Sequence, residues 1–156
     1  MTTSAPNSAP VTSDGARPEP DCLTLGIDHL GLSVADLEQT LQFFQECLGW
    51  SLVGRREEYP AAFVTDQHAI ITLWQVERDR RVEFDRRANV GLHHLALRVG
   101  SLEQLHRLHE RVLRWPGARA EFSPEISGRG PKTHFMTREP GGLRLEFCYD
   151  PRRDTP

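Results

Sequence analysis

The sequence predicts an α+β domain made of two paired βαβββ modules, and three observations carry that prediction. Asp28-His29-Leu30-Gly31-Leu32-Ser33-Val34 and the following Ala35-Asp36-Leu37-Glu38-Gln39 recur 65 residues later, as His93-His94-Leu95-Ala96-Leu97-Arg98-Val99 and Gly100-Ser101-Leu102-Glu103-Gln104. Each copy opens on strict apolar alternation and then changes to a helical period. Each is followed by three further short apolar segments broken by turn residues. Self-similarity at a fixed offset dictates architecture before local propensity does, and two copies predict halves related by a pseudo-twofold axis.

The elements follow in order. In the first strand, Leu30, Leu32 and Val34 take one face, and His29, Gly31 and Ser33 the other. In its repeat, Leu95, Leu97 and Val99 oppose His94, Ala96 and Arg98. Leu37, Leu41, Phe44 and Leu48 make a helical apolar stripe that Gly49 ends. Leu102, Leu105, His109 and Val112 make the second, ending near Pro116-Gly117. The remaining strands are expected at 51–57, 61–65 and 69–76, and at 120–124, 133–137 and 143–149. Glu139-Pro140-Gly141-Gly142 is a strong hairpin signal, and Asp66-Gln67-His68 a weaker one.

This assigns module one to 25–76, a linker to 77–90 and module two to 91–150, within a single domain spanning 25–150. Residues 1–24, rich in Ser, Thr, Pro and Ala, predict a disordered tail without the basic and apolar regions of a secretion signal; 151–156 form a short C-terminal tail. The chain has 156 residues and a net charge of −3, with no apolar run long enough to span a bilayer. The run from Glu77 to Arg87 interleaves acids with its arginines, so it predicts a solvated linker and no nucleic-acid partner. Three cysteines, Cys22, Cys47 and Cys148, predict no disulfide framework and a reducing, cytoplasmic setting.

The repeat also identifies the chemistry. His29 and His94 occupy equivalent positions and project away from the aliphatic face. His93, the neighbour of His94, must point the other way. Aligning the final strands sets Phe63-Val64-Thr65 on Phe135-Met136-Thr137 and Ile71-Thr72-Leu73 on Leu145-Glu146-Phe147. Glu146 therefore answers to Thr72 and shares the histidine face. A carboxylate between apolar neighbours is costly to bury unless something neutralises it. With His29 and His94 it makes a candidate three-ligand site for one divalent metal ion, iron, manganese, zinc, cobalt or nickel.

On His29 in Asp-His-Leu-Gly-Leu-Ser-Val, His94 in His-His-Leu-Ala-Leu-Arg-Val and Glu146 in Glu-Pro-Gly-Gly-Leu-Arg-Leu-Glu-Phe, the chain resembles the vicinal oxygen chelate superfamily. That superfamily includes glyoxalase I, extradiol dioxygenases and bleomycin- and fosfomycin-resistance proteins. The resemblance implies a cup-shaped, partly open mixed β-barrel with His29, His94 and Glu146 holding the metal on its floor. It implies a metal-dependent enzyme acting on a small molecule with adjacent oxygen atoms, either a lyase or isomerase or an extradiol-type dioxygenase. The alternative is a metal-free protein that sequesters a drug-like ligand, as bleomycin-resistance relatives do. Relatives of this kind are often homodimers, and some build each cup from modules of two chains. Two positions depart from the familiar patterns. Thr72 stands where glyoxalase I carries a fourth ligand, and Met136 where ring-cleaving dioxygenases carry a tyrosine.

Ile70, Thr72 and Trp74 share a strand face and are candidates for lining the substrate pocket. His134 is a candidate acid or base. The loop 127–134, with Arg129 and Lys132, is a candidate lid that recognises an anion. His106 and His109 share a helix face and are expected to be solvated or to lie at the core edge.

Overall fold

The computed structural model describes residues 23–154. The expected tail falls almost wholly outside the described residues. Two four-stranded sheets form, each with one helix, in the predicted βαβββ order. Module one contains β1 (His29–Val34), α1 (Leu37–Gln42), β2 (Ser51–Arg56), β3 (Ala61–Thr65) and β4 (Ile70–Gln75). Module two contains β5 (Leu95–Arg98), α2 (Leu102–Leu113), β6 (Arg119–Ile126), β7 (Thr133–Arg138) and β8 (Arg144–Tyr149). The sheet orders are β1-β4-β3-β2 and β5-β8-β7-β6, with the first pair of each parallel and the others antiparallel. Among the described residues the two sheets remain open and are not hydrogen-bonded to one another.

The repeat is visible in the helix starts. Asp36 accepts a hydrogen bond from the Gln39 N–H at 3.0 Å, and Ser101 accepts one from the Gln104 N–H at 3.1 Å, so equivalent residues cap equivalent helices. The helices then differ. The expected stripe in module one is helical only to Gln42, after which Phe43–Cys47 winds wider, with the Leu48 N–H reaching the Phe43 carbonyl at 3.1 Å. That winding buries both Phe43 and Phe44 completely, and Gly49 ends it at φ +80°. Three expectations shift at the edges. β6 runs on to Ile126, His94 lies just before β5, and short 3-10 turns form at Arg78–Arg80 in the linker and Pro151–Arg153 in the C-terminal tail.

The helix-covered faces share one core that includes Leu32, Val34, Phe43, Phe44, Ile71, Leu105, Val112, Phe135 and Phe147. Burial of each such side chain contributes about 1.5–3 kcal/mol. Across the module boundary, Phe43 meets Trp115 edge-on at 6.0 Å, and Arg111 donates to the Cys47 carbonyl at 3.0 Å. His109 belongs to this core, packed on Phe135 at 5.0 Å, where burial and the nearby His106 hold its imidazole below the usual basicity. Joining the modules through these faces turns the histidine-bearing faces of both sheets outward.

Glu139 fastens the boundary and was not foreseen beyond its place in a turn. It is fully buried with no cation paired to it among the described residues; one oxygen accepts from the Thr40 hydroxyl (3.2 Å) and the Gly141 N–H (2.9 Å), the other from the Leu143 N–H (2.9 Å). Burial pushes its carboxyl above the ordinary value of 4.5, and the three donors offset this only in part. The folded state therefore holds this proton more tightly than the unfolded chain. Glu139's contribution to stability is complete below 4.5 and declines as pH rises through the elevated folded value. Urea unfolding at a series of pH values should show the stability of wild type relative to Glu139→Gln falling as pH rises. A constant difference would refute the assignment.

Candidate functional site

The register places the predicted ligands on symmetric scaffolding. Gly31 of β1 pairs with Thr72 of β4, and Ala96 of β5 pairs with Glu146 of β8, so Thr72 and Glu146 are structural equivalents, as the sequence alignment expected. Strand parity then sets Glu146 on the outward face with His134 and Met136 of β7.

Glu146 is the centre of a tight cluster. Its side chain is only 7% exposed; the Lys132 ammonium lies 2.7 Å and His134 Nδ1 2.9 Å from Oε1, while His94 Nε2 lies 3.1 Å from Oε2. Burial pushes the carboxyl up, but the bonds and charges of Lys132 and His134 outweigh it and hold Glu146 below the usual carboxylate range. The His134 ring rests against Phe122 at 5.2 Å. Lys132 is brought in by the β6–β7 turn, closed by the Ser127 N–H on the Lys132 carbonyl. That turn was expected as an anion-recognising lid; its lysine points at the site's carboxylate, and Arg129 stays exposed.

A second network orients His94. Arg144 donates to His93 Nδ1 at 3.4 Å, and His93 Nδ1 lies 2.8 Å from His94 Nδ1. A guanidinium can only donate, so His93 Nδ1 accepts and His94 Nδ1 carries the proton. His94 Nε2 then faces Glu146 Oε2 at 3.1 Å, where it donates to the carboxylate if it carries a proton and is free to share a cation with it if it does not. Arg144 is itself held by Glu121, which Arg138 also contacts. His93 contributes to the site sideways, through its ring nitrogen, a role that strand parity alone did not disclose.

His29 stands apart from this cluster. It sits on the outward face of β1, more than half exposed, with Nδ1 2.7 Å from Asp28. A carboxylate on one ring nitrogen fixes the other for coordination, the usual support of a metal-binding imidazole. Among the described residues no three His, Cys, Asp or Glu side chains are grouped to hold an ion. The chain thus gathers His94 and Glu146 but not His29. Ile70 lies at the rim in register with His29, Thr72 is buried, and Trp74 donates to the Thr72 hydroxyl at 2.8 Å. Tyr59 and Phe63, which flank Trp74 at 5.0 and 6.1 Å, were missed by sequence reasoning; the signal was the glycines in β1 and β2.

The model of the Glyoxalase/Bleomycin resistance protein/Dioxygenase superfamily matches residues 26–147. The chain belongs to that superfamily. Comparison with solved structures agrees on the superfamily fold. A possible glyoxalase from Bacillus cereus is 24% identical, with TM-score 0.63, and the match covers 81% of this chain and 100% of that one. A glyoxylase/bleomycin resistance protein/dioxygenase domain from Frankia sp. EAN1pec has TM-score 0.68 at 22% identity, over 79% and 90% of the two chains. Lactoylglutathione lyase from Agrobacterium tumefaciens has TM-score 0.62 at 15% identity, over 81% and 95%. Comparison with curated proteins gave no match. The superfamily holds enzymes and non-enzymes, and its members generally bind a divalent metal. No helix among the described residues is long and apolar enough to cross a membrane.

Proposed function

We propose that this member of the superfamily is a metal-dependent enzyme acting on a small molecule with adjacent oxygen atoms, and that its site is completed in a homodimer. The observation that carries the reading is Glu146, a buried carboxylate on an outward face, opposed at 3.1 Å by His94 Nε2. His94 and Glu146 of one copy would hold the ion together with His29 of a second. Two imidazoles and one carboxylate suit iron, manganese, zinc, cobalt or nickel, and leave coordination positions open. When bound, the ion supplies Lewis acidity to two adjacent substrate oxygens. His134 would hold or move a proton beside Glu146 Oε1, and Lys132 keeps that oxygen charged and fixed. Thr72 and Met136 leave the reaction as a lyase or isomerase step or an oxygen-dependent cleavage. The homodimer is supported by the outward-facing sheets and by exposed Leu23, Leu25 and Ile27, an alternating apolar run leading into β1.

One observation favours the second reading, a metal-free sequestering protein: Lys132 already neutralises Glu146 at 2.7 Å. Metal content separates the two. Wild type should carry one ion per chain after reconstitution, whereas His29→Ala and Glu146→Gln homodimers should carry none. A mixed dimer of the two variants should recover one ion, because one of its sites combines an intact His29 with an intact His94 and Glu146. Wild type without stoichiometric metal sinks the enzyme reading, and an empty mixed dimer sinks the shared site.

A further inference from the structure

The outward faces of the two sheets differ in chemistry. On module one, glycines let aromatic rings lie close to the strands. A Cβ at Gly31 would stand 3.3 Å from the Thr72 hydroxyl and 3.7 Å from Trp74 Nε1, and one at Gly54 would stand 3.0 Å from the Phe63 ring. Trp74 Nε1 is satisfied by Thr72, so what the indole has left to offer a ligand is its apolar ring. Tyr59 and Phe63 extend it into a three-ring platform.

On module two, Arg98 lies exposed on the face of Glu146, paired in register with Cys148, and forms no ion pair among the described residues. Between Arg98 and His94 in sequence stands Ala96, in register with Glu146. Lys132 is paired with Glu146, and Arg138 and Arg144 with Glu121, so Arg98 is the guanidinium left to meet an anion.

We propose that the site takes an aromatic acid as substrate, the ring laid on Trp74, Tyr59 and Phe63 and the acid group paired with Arg98. This rests on the shared site above, in which β1–β4 of one copy faces β5–β8 of the other. A planar ring gains stacking and apolar burial on the platform, and an unpaired guanidinium gives a carboxylate a charge-assisted, two-pronged partner.

Titration calorimetry on the full chain tests it with three matched probes: salicylate, its neutral counterpart salicylamide, and the non-aromatic cis-2-hydroxycyclohexanecarboxylate. Salicylate should bind about tenfold more tightly than either. Arg98→Gln should erase the preference over salicylamide alone, and Trp74→Leu the preference over the saturated acid alone. Trp74→Phe should restore the latter in part. Failure of salicylate to bind, equal affinity for the three probes, or preferences unchanged in both variants overturns the proposal. Titrations with EDTA and with manganese separate this outcome from the metal reading. Both preferences in a protein that binds no ion keep the aromatic-acid site and remove the metal. An ion bound at His94 and Glu146 with neither preference does the reverse.

Discussion

Replacing Glu146 with glutamine is expected to weaken binding of the ion roughly hundredfold or more while leaving the fold intact. The exchange keeps the shape of the side chain, so the core behind β8 is undisturbed. It removes the charge that faces His94 Nε2 and that Lys132 and His134 secure. Lys132 is 30% exposed at its side chain and can turn to water once its partner is gone, which limits the cost of leaving its ammonium unpaired. The thermal midpoint should therefore move by only a few degrees. Elemental analysis and a melting curve on one preparation check both halves. Retained metal with a collapsed midpoint would mean that the carboxylate serves the fold and not the ion.

Phe135→Ala should do the opposite and cost about 3–5 kcal/mol of stability. The ring is fully buried, stacks on Phe147 at 5.0 Å with 29° between planes, and packs edge-on against His109 at 5.0 Å. Against a typical total of about 5–15 kcal/mol, that is a large share. Urea unfolding should show a lower midpoint with an unchanged slope. A loss below about 1 kcal/mol would place Phe135 outside the cooperative core. Because His134 and Met136 flank Phe135 in β7 and point to the other face, the folded variant should also hold Glu146 less firmly.

The scaffold was legible because the duplication fixes strand order, register and parity together. The identity of offset between His29 and His94 reappears as the paired registers Gly31–Thr72 and Ala96–Glu146, so the one unmatched carboxylate is legible in the sequence alone. The capping residues Asp36 and Ser101 were repeated in the same way. What the sequence concealed depends on contacts between segments distant in the chain. Glu139 looked like a turn residue, since nothing local reveals that Thr40 will close over it. Parity sent His93 away from His94, yet their ring nitrogens meet because both lie just before β5, where the pleat no longer governs direction. The separation of His29 from the Glu146 cluster follows from which faces the modules use to pack, a choice that alternation within each strand leaves open. Tyr59 lies in a turn, and its place beside Trp74 comes from the path of the chain between β2 and β3.

The hydrogen bond between Trp74 and Thr72 also bears on how the two halves diverged after duplication. A single exchange of Thr72 for glutamate would mirror Glu146 and offer the ion another carboxylate. That exchange would also remove the hydroxyl that accepts from the indole and leave the new carboxylate as the acceptor nearest that N–H. Indole and ion would then compete for one carboxylate. In evolutionary terms, a descendant of this chain that gained the fourth donor would have to divide it between the ion and the tryptophan inherited beside it.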